Sequence, residues 1–169
     1  MAAANVNVPS IVVSTSGGGG VSSADKLISC GNKCAATYSL GTIVTFVATT
    51  GSGSTFGGWG GACSGNQSTC SVQVNDLMNV TATFLSQFTL SIGRSNSGTV
   101  TGTPSGNDRA ISCGGICSAK FTQGAPVILT ATPPAGKQFV SWGAACSGTS
   151  LTCSVAINNN TSVQANFSK

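Results

Sequence analysis

The sequence predicts an all-β protein: two tandem, small, disulfide-stapled modules, sandwich-like in architecture, with about six short strands each. Three observations carry this. The apolar residues alternate with polar ones or gather in short β-branched runs, and no sustained 3.6-residue period with caps appears. The segments between those runs are rich in Gly, Asn and Ser, which are turn residues. Finally, one constant shift, the one that carries Cys30 to Cys113, superimposes the first half of the chain on the second.

The cysteines expose the repeat. Cys30, Cys34, Cys63 and Cys70 recur as Cys113, Cys117, Cys146 and Cys153. Gly41 maps to Gly124, Phe56 to Phe139, Trp59 to Trp142, Asn75 to Asn158 and Phe84 to Phe167. From Ile28–Phe84 against Ile111–Phe167 there is no gap, and 26 of 57 positions are identical. Upstream, "IVVSTSGGGGVSS" resembles "LSIGRSNSGTVTG", with four fewer residues in the first copy before its first Cys. The domains are expected at residues 9–85 and 87–169, after an N-terminal arm of residues 1–8. The very short linker around "LSQ" predicts modules that are packed together or stiffly coupled.

The strands follow in order. "TIVTFVATT" and "PVILTATPP" are rich in β-branched residues and end at turn residues. "CSVQV" and "CSVAI", "NVTATF" and "TSVQANF", and "FTLSI" and "GTVTGT" all alternate. "SGGGGV" at residues 16–21 reads as a turn between two strands. It lacks the G-K-[S/T] ending of a phosphate loop and opens no helix.

Composition narrows the function classes. Charged residues make up 6% of the chain, against about 25% in an average soluble protein. The seven cations (Lys26, Lys33, Arg94, Arg109, Lys120, Lys137 and Lys169) are scattered, and the net charge is +4. Nucleic-acid binders cluster such residues on one face, so no nucleic-acid partner is expected. No apolar run is long enough to form a membrane-spanning helix, so no membrane insertion is expected. "MAAANVNVPS" has neither a basic n-region nor an apolar h-region. It is read as the start of a mature chain with Met1 added for expression. Eight cysteines in 169 residues place the chain outside the reducing cytosol, secreted or at a cell surface.

Within each repeat a C-x3-C pair is followed, after a long gap, by a C-x6-C pair. The favoured pairing is local: Cys30 with Cys34, Cys63 with Cys70, Cys113 with Cys117 and Cys146 with Cys153. "CSGNQSTC" and "CSGTSLTC" read as hairpin loops across which a bridge can reach. Loop entropy alone does not choose, because long-range pairing would stabilise more. A four-cysteine zinc site is the competing reading. The x6 gap exceeds the usual ligand spacing and there is no His. No metal or other cofactor is expected.

Phe56 and Trp59, with Phe139 and Trp142, stand just before the C-x6-C loops. They are read as core aromatic anchors of modules too small to hold many such residues. The competing reading is a sugar-stacking platform, which usually comes with carboxylates, and these are nearly missing. Asp25-Lys26 maps to Asp108-Arg109 and is read as a turn with a surface charge pair. Asp76 maps to Asn159, and one carboxylate among those loops is too few for tight calcium binding. With no His, no Glu and no two Asp close in sequence, neither a nucleophilic triad nor a glycosidase pair can be assembled locally. No catalytic residues are expected.

Taken together, Cys30-Gly31, Gly41, Val44, Ala48-Thr49, Phe56, Trp59-Gly60, Cys63-Ser64-Gly65, Cys70-Ser71-Val72 and Val80-x-Ala82-x-Phe84 resemble the divergent internalin-type B-repeat, also called the bacterial repeat domain. Their partners lie one repeat further along the chain. The resemblance implies tandem extracellular β-modules of bacterial surface or secreted proteins, acting as stalks, spacers or adhesion modules. The related internalin repeat is β-grasp-like with a short helix. No helix signal is present here, so that fold is not carried over.

The leading expectation is a non-enzymatic structural or adhesive surface protein that self-assembles by β-strand addition, its partner being copies of itself. The edge strands carry few charges to guard them. The uncharged segment through Asn5–Ser16 could add to a neighbour's sheet, or be the first strand of its own domain. A carbohydrate-binding module that recognises cell-surface glycans through exposed tryptophans is the alternative. An inert spacer is the third.

Overall fold

The computed structural model describes residues 8–104 and 108–169. The chain divides into two compact units between Ser86 and Gln87. Both are built from strands alone, with no helix among the described residues.

The first unit holds β1 (Ser10–Ser16), β2 (Gly19–Ser23), β3 (Ala35–Thr37), β4 (Ile43–Thr50), β5 (Ser54–Gly61), β6 (Thr69–Gln73) and the first half of β7 (Leu77–Ser95). These form two sheets. One has the order β3-β1-β7-β5 and is mixed: β1 runs parallel to β7, and the other pairs are antiparallel. The other is antiparallel, β2-β4-β6. Alternation places Ile11 and Val13 of β1, Val44, Phe46 and Ala48 of β4, and Val80, Ala82 and Phe84 of β7 in one buried cluster between the sheets. That is the sandwich-like arrangement the alternating pattern predicts.

The second unit repeats the plan. It uses the second half of β7 with β8 (Thr99–Pro104), β9 (Ile111–Cys113), β10 (Ser118–Thr122), β11 (Ala125–Thr132), β12 (Phe139–Ala144), β13 (Thr152–Ile157) and β14 (Thr161–Phe167). Its mixed sheet is β10-β7-β14-β12, with β14 parallel to β7. Its antiparallel sheet is β9-β8-β11-β13. Leu90, Ile92, Val100, Phe121, Leu129, Val163 and Phe167 lie in its core.

Three features go beyond the sequence reading. The described residues hold seven strands in the first unit and eight in the second, counting β7 in both, where about six each were expected. The extra ones are short (β3, β9, β10) or glycine-rich (β5, "STFGGWGG"). Leu85-Ser86-Gln87, read as a linker, lies inside the continuous strand β7. Of the N-terminal arm, residues 1–7 fall outside the described residues, whereas Ser10–Ser16 pair within their own unit as β1.

Glycines are obligatory where β1 turns into β2. Gly17 has φ +80, and a Cβ there would lie 1.9 Å from the carbonyl oxygen of Phe84. A Cβ on Gly19 would meet the Phe84 ring at 2.3 Å, and one on Gly98, its counterpart in the second unit, would meet the Phe167 ring at 2.6 Å. The aromatic that closes each repeat is therefore covered by bare backbone.

Candidate functional site

The two sequence-marked aromatic and cysteine clusters lie where β5 and β12 meet the loops that follow them. In the first unit Cys63 is bonded to Cys70 and Cys30 to Cys34. In the second, Cys146 is bonded to Cys153 and Cys113 to Cys117. No free cysteine remains, so the thiolates that a zinc site would require are consumed in these bonds. Among the described residues no group of His, Cys, Asp or Glu is arranged to hold a metal ion.

Trp59 and Trp142 are buried, at 8% and 4% exposure. That leaves no indole face for a sugar to stack on, and corrects the carbohydrate reading that needed them at the surface. Each indole instead holds the disulfide loop beside it. Trp59 Nε1 donates to the carbonyl of Gln67 at 2.8 Å, and Trp142 Nε1 to that of Ser150 at 2.7 Å. The backbone N–H of Trp59 donates to Gly65 O at 2.8 Å, and that of Trp142 to Gly148 O at 2.9 Å. Gly65 and Gly148 both have φ +94, a left-handed conformation that the Ser-Gly turn supplies.

Phe56 meets Trp59 edge-on at 5.2 Å and Phe84 at 5.4 Å. Phe139 meets Trp142 at 5.0 Å and Phe167 at 5.6 Å. These tilted contacts suit the aromatic quadrupole. Each cluster thus ties one loop down by a disulfide, two hydrogen bonds and an aromatic stack. The conjunction of F-x-x-W-G with C-x6-C marks the cluster in the sequence. The loop carbonyls that receive the indole N–H groups sit at variable residues, Gln67 and Ser150, and carry no signal of their own.

The three carboxylates do not converge. Asp25 accepts from the Ser23 hydroxyl and from the amide of Leu27 at 3.0 Å, which is the turn role expected of it. Slight desolvation pushes its exposed carboxyl up, but those hydrogen bonds hold it on balance below the usual carboxylate range. Asp108 accepts from both the amide and the hydroxyl of Thr122 at 3.0 Å. Asp76 accepts from the amide of Leu77 at 2.7 Å.

Near Asp25 the repeats differ. The Tyr38 hydroxyl is buried beside Ser23 and Asp25 without a well-formed hydrogen bond to either. Phe121 fills the equivalent place in the second unit, fully buried. Burial pushes the Tyr38 phenol up; Ser23 opposes this and the charge of Asp25 adds to it. A raised folded value means that the neutral phenol stabilises the fold below its unfolded value, about 10. That contribution is lost as pH rises through and above it. Tyr38→Phe is therefore expected to stabilise the first unit by about 1–2 kcal/mol at pH 7, by removing an unsatisfied buried hydroxyl. It should also remove part of the alkaline loss. Urea unfolding of both proteins at pH 7 and pH 10.5 checks this, and equal alkaline losses would sink it.

Comparison with known proteins agrees with this repeat architecture. The family model of the divergent InlB B-repeat domain matches residues 10–87 and again residues 88–169. No curated protein matches the chain. Among solved structures, the Bacillus anthracis TIE protein matches at 12% identity, over 95% of this chain and 34% of that one, with a TM-score of 0.34. The chain thus spans about a third of that protein's length, and at such a score the likeness carries no argument. The two family matches do: the chain belongs to the divergent InlB B-repeat family, in two tandem copies. That family is a structural repeat, not an enzyme family.

Proposed function

We propose that this pair of divergent InlB B-repeats is a non-enzymatic structural or adhesive protein of a bacterial surface, which associates with copies of itself by pairing sheet edges. A secreted or surface location suits four disulfides. The supporting observation is the state of the edges. The strands ending the sheets are β2, β3, β5, β6, β9, β10, β12 and β13. Only β10 carries a charged residue, Lys120. Natural monomers guard such edges with Lys, Pro, inward charges, bulges or very short strands; here β3 and β9 are short and β5 and β12 carry bulges, and charge is the guard that is missing. An edge without charge offers its free backbone donors and acceptors to another strand.

The placement of β1 decides how to test this. Deleting residues 1–16 would remove Ile11 and Val13 from the core and confound assembly with unfolding. Lysine at exposed edge positions is the cleaner probe: Thr37→Lys on β3 and Val140→Lys on β12, both side chains facing solvent. Electron microscopy of the oxidised protein over a concentration series is expected to show polymers that the lysines shorten or abolish. Dispersed particles at every concentration would overturn self-assembly. Polymers indifferent to both lysines would overturn edge pairing through β3 and β12.

A further inference from the structure

In the second unit's antiparallel sheet, the inward positions are filled by core residues such as Val100, Val127, Leu129 and Val155. The outward positions are mostly hydroxyls; Ile128, exposed at 55%, stands between Thr103 and Ser154 as an apolar interruption of one rank. The register sets Ser112 opposite Thr101, Thr101 opposite Thr130 and Thr130 opposite Thr152. One row of four β-hydroxyl side chains thus crosses all four strands, β9-β8-β11-β13. Two residues along, Thr99 stands opposite Thr132. All six are exposed except Thr130, which is half-buried. Neighbouring hydroxyls in a rank are spaced by the strand separation, about 4.8 Å, and ranks by two residues of strand, about 6.8 Å.

The chemistry of the face selects its ligand. None of the four strands carries a charged residue. The unit's six charged residues (Arg94, Asp108, Arg109, Lys120, Lys137 and Lys169) lie on other strands, in loops or at the terminus. An anionic polymer would therefore gain nothing here. An apolar protein surface is also a poor match, because burying hydroxyls without partners is costly. A ligand that is neutral, and that brings its own donors and acceptors at a regular step, satisfies both conditions. A hydroxyl donates and accepts equally well, so it pairs with another hydroxyl in either sense, while the Thr methyl groups meet the C–H faces of a ring.

We propose that the rank Ser112–Thr101–Thr130–Thr152 is a binding track for an extended, neutral, β-linked polysaccharide laid across the strands. The first unit supplies an internal comparison. Its equivalent positions are Ser29, Ser22, Val47 and Thr69, joined in the same order, so a valine interrupts that rank. The track is independent of the buried tryptophans and does not depend on self-assembly.

The experiment is sedimentation of the oxidised full chain with microcrystalline cellulose and, separately, with crystalline chitin, against a tube without polymer. Polymer-dependent, saturable binding to at least one of them is expected. The triple variant Thr101→Val, Thr130→Val, Thr152→Val keeps the β-branched shape and removes three hydroxyls. It is expected to weaken binding at least about tenfold. Ser162→Ala on the exposed face of β14 should leave binding unchanged. Tryptophan fluorescence verifies that each variant is folded, and Ser112→Ala provides a second, milder loss on the track. Absence of binding to both polymers overturns the proposal, as does full binding by the triple variant. Pelleting without polymer reports on self-assembly alone, so the two readings fail separately.

Discussion

Reduction of the four disulfides is expected to lower the melting temperature by roughly 15–30 °C, the largest single effect this fold offers. The bonds close sequence separations of 4 and 7 residues in each unit. Loop entropy assigns about 2 kcal/mol to each such bond, so each unit loses about 4 kcal/mol when both of its bonds open. A single domain holds only about 5–15 kcal/mol in total, and small domains lie at the low end. Calorimetry with and without a thiol reductant, at matched pH, measures the difference. A shift below about 5 °C would mean that the sheets and the aromatic stack hold the modules without covalent help.

Alanine in place of Trp142 is expected to cost about 3–5 kcal/mol, the range for deleting a buried large aromatic. The indole is 4% exposed, stacks on Phe139 and donates to Ser150 O. Its loss leaves a cavity and a disulfide loop held by fewer bonds. Phenylalanine at the same position should cost less, because it restores ring contact but not the N–H donor. The loop is also tied by Cys146–Cys153, so removing the indole and the disulfide together should not give the sum of the separate losses. Denaturant unfolding of the two single changes and the combination resolves this. A loss under about 1 kcal/mol for Trp142→Ala would show that the loop, not the ring, fixes the cluster. Trp59→Ala is the parallel test in the first unit.

The all-β class and the duplication were readable because they rest on period and identity. Alternation in "NVTATF" becomes the inward Val80, Ala82 and Phe84 of β7, and the constant shift between the copies needs no structure at all. What the sequence did not show is long-range or backbone-mediated. Parallel pairing of β1 with β7 joins Ser10 to Leu77, and no local pattern specifies that partner. β5 is strand despite four glycines in eight residues, because its ladder with β7 overrides their low propensity. "LSQ" reads as polar punctuation, yet it lies within a strand bonded on either side of it. The anchoring of Trp59 depends on a carbonyl of Gln67, and any residue type would supply that atom. The outward threonines of the second unit looked like ordinary β-formers until the register aligned them.

The short reach of the disulfides has a consequence for how the protein is made. Eight cysteines can pair in 105 ways, yet in each bond here a cysteine is joined to its neighbour in the chain. Contacts so close in sequence form far sooner than distant ones. Each staple can therefore be sealed as its segment emerges, before the mixed sheet of its repeat is complete. The mixed sheet must wait, because the strand that joins β1 to β5, the first half of β7, is the last of its repeat to be synthesised. The same holds for β14 between β7 and β12. An interrupted repeat is thus correctly cross-linked while its mixed sheet is still missing, a species that a count of free thiols would pass and a protease would not.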